Sequence, residues 1–313
     1  MTRRTAATIA ALVAAPSILA PALARADCET VTFSDVGWTD ITATTAAATV
    51  LLDALGYANE TRLLSVPVTY ASLAEGDVDV FLGNWMPTME ADIAPYREAG
   101  TVDTVRANLE GAKYTLAANP AAAALGIESF DDIVSHREAL GERIYGIEPG
   151  NDGNRLILEM IEADMFDLGG FELVESSEAG MLAEISRANR REEPAIFLGW
   201  APHPMNAAMD ITYLSGGDDV FGPDYGGATV YTNTTAGFVE QCPEVGALLE
   251  NLAFSLEMEN EIMGAILDDG ADPEAAARAW ITAHPDVLGG WLEGVSALHG
   301  EDGETAVRAA LGL

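Results

Sequence analysis

The chain has 313 residues, 49% hydrophobic and 21% charged, the balance of a folded globular protein long enough for two lobes and not of a disordered one. Fifty Asp and Glu face fifteen Lys and Arg, a formal net charge of −35, so there is no basic footprint for a phosphate backbone and nucleic acid is excluded as a partner. The carboxylates are spread along the sequence, with Lys113 the only lysine, and read as a solvated surface suited to salt; screening confines their pull on a cation to about 10 Å, so ligand charge must be read from a site.

Met1-Thr2-Arg3-Arg4, the apolar stretch 6–23 and Ala24-Arg25-Ala26 form the basic, apolar and cleavage regions of a secretory signal, residues 1–26, with the mature chain starting at Asp27. Loss of Arg3, Arg4 and Arg25 then takes the charge from −35 to −38. A membrane anchor fits less well, because the stretch is alanine-rich, short and broken by Pro16 and Pro21. The twin-arginine route is disfavoured by Thr5-Ala6-Ala7 after the arginine pair. Export favours a disulfide between Cys28 and Cys242, worth about 4 to 5 kcal/mol in the chain-entropy model. Two unrelated buried thiols are the competing reading, and Arg25-Ala26-Asp27 argues against a lipid on Cys28.

From there a parallel α/β rhythm is expected. A strand at 31–35 leads to a helix at 41–55 closed by Gly56, then a strand at 62–67, a helix at 70–75 and a strand at 78–82. A second unit starts at 113–118 and continues with a helix at 129–140, a strand at 143–147, a helix at 154–163 and strands at 195–198, 212–214 and 228–232. The remainder, from Pro243, is helical. If Cys242 pairs with Cys28, those last helices belong with the first unit, and the chain crosses between lobes twice, near 110–113 and 232–237, which is hinge architecture.

Three of the five tryptophans, Trp38, Trp85 and Trp200, follow short runs rich in β-branched and aromatic residues and containing Gly, so each sits at the carboxyl end of a buried strand, the edge where open α/β sheets bind ligands. Phe81-Leu82-Gly83-Asn84-Trp85-Met86-Pro87 is echoed by Phe197-Leu198-Gly199-Trp200-Ala201-Pro202. Three indole faces suit a cation without hydrogen-bond donors, a quaternary ammonium solute. In Trp38-Thr39-Asp40, Thr39 or Asp40 reads equally well as a helix N-cap or, for Asp40, as a counter-charge to that cation. Residues 148–154 read first as a turn and cap, with an Asn able to bond a ligand hydroxyl, and they do not match an EF-hand loop. His136, His203, His284 and His299 have no metal-ligand spacing, and there is no Gly-x-Ser-x-Gly or Gly-x-Gly-x-x-Gly motif, so neither metal, cofactor nor catalysis is expected. His203, between two prolines, reads as a rigid loop residue, and Trp280 and Trp291 fall in the helical tail.

These residues bring a family into view. Phe33-Ser34-Asp35-Val36-Gly37-Trp38-Thr39-Asp40-Ile41, the Trp85 and Trp200 segments, Gly111-Ala112-Lys113-Tyr114-Thr115-Leu116 and Gly146-Ile147-Glu148-Pro149-Gly150-Asn151-Asp152-Gly153-Asn154 resemble the choline-binding proteins of bacterial ABC uptake systems, within the glycine betaine and choline class of periplasmic binding proteins. The resemblance implies an α/β, two-lobed type II binding fold with two crossover hinge segments. Residues 27–112 and 233–313 would form lobe I and 113–232 lobe II. It also implies the Cys28 to Cys242 bridge, a periplasmic location, a monomer, and a permease as partner. Trp38, Trp85, Tyr114 and Trp200 would box the trimethylammonium group of choline, Asp40 would oppose its charge and Asn151 would hold its hydroxyl. Trp38, Asp40 and Trp85 come from lobe I and the other three from lobe II, so the box is complete only when the lobes close. Glycine betaine is the nearest rival, but Asp40 would repel its carboxylate and only Arg155, a turn into a helix, could receive it. A choline-ester hydrolase and a chemoreceptor-docking sensor are rivals from other classes.

Overall fold

The computed structural model describes residues 28–313, so the expected signal segment lies outside the described residues. Among the described residues nine strands form one curled sheet: β1 (Thr30–Asp35), β2 (Ala58–Leu63), β3 (Val80–Met86), β4 (Val102–Ala118), β5 (Arg143–Tyr145), β6 (Glu172–Val174), β7 (Ile196–Ala201), β8 (Thr212–Tyr213) and β9 (Gly227–Thr235). Their order is β2-β1-β3-β9-β4-β7-β5-β6, with β8 added on β4. The fold is a two-lobed α/β architecture. Each wing is parallel, β1 with β2 and β3, and β5 with β6 and β7. The middle departs from the expected parallel rhythm: β9 runs antiparallel to both β3 and β4, and β4 antiparallel to β7.

β4 is long enough to serve both lobes. From Val102 to Lys113 it pairs with β9, while Lys113 to Ala118 pairs with β7. The return passage is β9. Thr234 and Asn233 pair with Val80 and Phe81 of β3, whereas Ala228 and Gly227 pair with Ala112 and Lys113.

Lobe I wraps its wing around α1 (Thr39–Leu55), whose alanines allow close approach of helices Leu256–Leu267 and Pro273–Ala283. Val31, Phe33, Phe81, Leu51 and Leu52 are buried here, each side chain contributing about 1.5 to 3 kcal/mol of transfer free energy. Cys28 and Cys242 are joined in a disulfide with Cα atoms 5.5 Å apart, which pins the first described residue to the region that precedes the C-terminal helices. Lobe II centres on Phe130, Ile144, Phe197, Leu198 and Phe221. Among the described residues no helix is long and apolar enough to cross a membrane.

Two local expectations shift. The strand expected at 62–67 is β2, which ends at Leu63, and α2 (Val66–Glu75) begins with Pro67 in its first turn, where a missing N–H costs nothing. α3 (Glu90–Ala99), β6 and the helix Glu178–Arg191 were not foreseen; α3 buries only Ile93 and carries Pro95 internally, so it lacks an amphipathic stripe.

Candidate functional site

The site is assembled at the carboxyl ends of β1, β3 and β7. After β1 the chain turns through Gly37, whose φ of +84° is open to glycine at low cost. Asp35 fixes that turn: one carboxylate oxygen accepts from Gly37 N–H at 2.7 Å and the other from the Thr42 hydroxyl at 2.7 Å. Trp38 itself occupies the N-cap position of α1 and provides no side-chain cap, so neither Thr39 nor Asp40 is the cap; both lie in the first turn. Trp85 is the penultimate residue of β3, and its indole N–H donates to Asp40 at 3.1 Å. Tyr114 and Trp200 are register partners on β4 and β7, which brings their rings to 6.4 Å at 78°. Trp85 and Tyr114 rings lie 6.0 Å apart.

Trp38, Asp40, Trp85, Tyr114, Ile147 and Trp200 thus line one cavity with about 270 Å³ of space free of protein atoms. Asn151 stands one bond behind this wall. Its side-chain oxygen accepts from the Tyr114 hydroxyl at 3.1 Å and from Asn154 N–H at 2.9 Å, as N-cap of the helix Asp152–Glu162, and its amide donates to Asp152 at 3.1 Å. Asn154 holds the neighbouring loop by accepting from Ile147 N–H and donating to the carbonyls of Ile147 and Glu148.

Two carboxylates that sequence reasoning did not assign complete the surroundings. Glu148 of lobe II accepts the Trp38 indole N–H at 2.7 Å, and Glu178 of lobe II accepts the Thr39 backbone N–H at 3.0 Å. Glu148 stood inside a turn motif and Glu178 looks like any acid in a first helical turn, so only their long-range pairing reveals them. His203 is buried; it accepts Met205 N–H on Nδ1, which leaves Nε2 to donate to Glu178 at 3.3 Å, and its ring lies 5.1 Å from Trp200.

Burial and like charge dominate the electrostatics. Desolvation, followed by repulsion from Glu178, pushes Asp40 up to about 8. Burial, partly offset by the Trp38 bond, pushes Glu148 up to about 7, and burial likewise raises Asp152 to about 6. None of the six cavity residues is cationic. Arg155 is committed elsewhere: it bonds Asp92 at 2.9 Å, the Thr88 carbonyl at 3.0 Å and Glu159 at 3.4 Å. An aromatic cavity with a desolvated carboxylate and no basic residue attracts a cation and repels an anion. Among the described residues no group of three or more His, Cys, Asp or Glu is arranged to hold a metal ion.

A solved ABC-transporter choline binding protein in complex with choline is 65% identical, with a TM-score of 0.90 over 91% of this chain and 98% of that one. An unliganded, semi-closed structure of an ABC-transporter choline binding protein, also 65% identical, gives 0.85 over 91% and 99%. A curated relative from Chromohalobacter salexigens, uncharacterized protein ORF1, is 51% identical over 42% of this chain and 84% of its own. Residues 29–283 match the model of the substrate binding domain of ABC-type glycine betaine transport systems, and the chain belongs to that family.

Proposed function

We propose that this chain captures choline outside the cytoplasm and delivers it to an ABC permease. Trp38, Trp85, Tyr114 and Trp200 enclose the trimethylammonium group, Asp40 balances its charge, and the second N–H of the Asn151 amide meets the hydroxyl as Tyr114 adjusts. Residues 27–112 and 233–313 serve as lobe I and 113–232 as lobe II, closing over the ligand as a monomer exported by residues 1–26. Four cation–π contacts at about 0.5 to 2 kcal/mol each and a desolvated carboxylate are in keeping with micromolar affinity, about −8 kcal/mol.

The observation that carries this proposal over glycine betaine is the charge around the box. Asp40, Glu148 and Glu178 gather there, and Arg155 is tied to Asp92 and Glu159. A betaine carboxylate would meet acids and find no cation to receive it. Support for choline also comes from the 65% identical protein solved with choline. The deciding measurement is isothermal titration of the mature chain with choline and with glycine betaine; equal or tighter betaine binding overturns the choice. No hydrolytic role is proposed, and turnover of a choline ester by the purified protein would contradict that.

A further inference from the structure

α1 enters the site with an incomplete end. The first amides of a helix have no partner within it, and a Ser, Thr, Asp or Asn before the first turn ordinarily supplies one. Here that position is held by Trp38, whose indole faces the cavity and cannot cap. The missing acceptor comes from the other lobe. Glu178, 5% exposed at the start of helix Glu178–Arg191, places Oε2 3.0 Å from Thr39 N–H and Oε1 beside the Thr39 hydroxyl. The same Oε1 accepts from Nε2 of His203, whose ring packs against Trp200.

We propose that Glu178 is the closure latch of this binding protein, a positioning residue in lobe II that completes the N-terminus of α1 in lobe I and holds the two halves of the box together only while the cleft is shut. This rests on the choline-binding reading above. A continuous path, from Trp200 through His203 and Glu178 to Thr39, Trp38 and Asp40, joins ring to ring across the cleft. With the lobes apart, water solvates both the carboxylate and the Thr39 donors, so these bonds favour the closed state without touching the ligand.

The latch lies among acids. Asp35, Asp40 and Glu148 face Glu178 and repel it when ionised, and among the described residues His203 is the one titratable base bonded to it. A cation that draws the proton off Asp40 also offsets the repulsion this new charge exerts on Glu178, so the carboxylate stays seated on α1 when the box is filled. A contact made only on closure shifts the population of the closed state, and apparent affinity scales with that population. Its loss therefore appears in dissociation, while the encounter of choline with the open cleft is left alone.

Stopped-flow tryptophan fluorescence of the mature chain with choline tests this. Glu178→Ala is expected to raise the dissociation rate at least tenfold with the association rate within threefold of wild type. Thr39→Val keeps the negative charge and removes only the hydroxyl bond; it is expected to raise dissociation at least threefold, which separates a latch from simple attraction between Glu178 and the cation. The double variant is expected to match Glu178→Ala within twofold, since both changes break one contact. Dissociation rates within twofold of wild type in the single variants, or fully additive effects in the double, overturn the latch. Should Glu178→Ala fail to fold, Thr39→Val alone decides by the same threshold. A wild-type chain that does not bind choline removes the functional reading itself, a result distinct from normal dissociation in the variants.

Discussion

Trp85 donates its indole N–H to Asp40 at 3.1 Å. The bond ties the end of β3 to the first turn of α1, so these two walls of the cavity are fixed relative to each other, which lowers the ordering cost of binding. It also buries a carboxylate that has no cation to pair with: Asp40 is 2% exposed, and burial pushes it up to about 8.

Choline affinity is therefore expected to rise with pH. Below about pH 8 the free protein holds a proton on Asp40 that a bound cation must expel, so Kd falls as pH rises, by up to about tenfold per unit, and levels off above about 8. Glu148, near 7, bends the curve at its lower end. Titration calorimetry at several pH values, in buffers of different ionisation enthalpy, reads both Kd and the protons released. Asp40→Asn should weaken binding by about 2 kcal/mol or more and flatten the upper part of the profile. A Kd independent of pH in the wild type would mean that Asp40 stays ionised in the empty box.

The same carboxylate should cost stability when the box is empty. In the unfolded chain it ionises near its ordinary value of 3.8, whereas in the fold it keeps its proton to about 8. Unfolding then releases a proton throughout that window, and the ligand-free protein loses stability as pH rises from about 4 to about 8. Asp40→Asn cannot ionise. Its ligand-free melting temperature should exceed that of wild type at pH 8, and the gap should close toward pH 4, a trade of function against stability visible by differential scanning calorimetry.

The indoles should dominate the affinity. Trp85→Ala and Trp200→Ala each open the box wall and are expected to weaken choline by about 2 kcal/mol or more. Trp280 serves as the control: it stacks on His284 at 4.3 Å, away from the cavity lining, and Trp280→Ala should leave Kd unchanged. Fluorescence titration of the three variants compares them directly.

Much of the cavity lining could be read from the chain because its parts lie at strand ends, and strands such as β3 and β7 are short, nearly continuous apolar runs. The middle of the sheet could not. The first half of β4 exposes Asp103, Thr104 and Glu110 among its buried residues and follows no strict alternation, so Val102 to Leu109 gave no strand signal. Its pairing with β9 is set by residues more than one hundred positions later, such as Thr234 opposite Asp103. Glu148 and Glu178 escaped for the same reason. Their partners, Trp38 and Thr39, lie 110 and 139 residues away, and nothing local in the sequence marks a bond across a cleft.

The disulfide is expected to govern stability and leave recognition alone. Cys28 and Cys242 enclose a loop of 214 residues, and the chain-entropy model assigns such closure about 5 kcal/mol. Neither cysteine lines the cavity. A Cys28→Ser/Cys242→Ser chain should melt several degrees lower yet bind choline at 20 °C with wild-type Kd. A large loss of affinity at a temperature where the variant is folded would show that the C-terminal helices need the bridge to seat α1.

Gly153 sets the position of Tyr114. A Cβ at residue 153 would lie 2.0 Å from the Tyr114 hydroxyl oxygen, well inside any real contact, and a tight 3.0 Å from Leu198. The helix Asp152–Glu162 comes this close to β4 because Asn151, its cap, is also the partner of that hydroxyl. Gly153→Ala must push either the helix or the ring aside. The helix is held by Asn154 on the Ile147 and Glu148 backbone and by Arg155 on Asp92, so the ring is the part free to give. Tyr114 would then turn away from Trp85 and Trp200, leaving the box with one open side. Choline should bind about tenfold or more weakly, with secondary structure by circular dichroism unchanged. Tyr114→Phe separates ring from hydroxyl: it keeps the π face, and if the ring alone matters it should retain most of the affinity that Gly153→Ala loses.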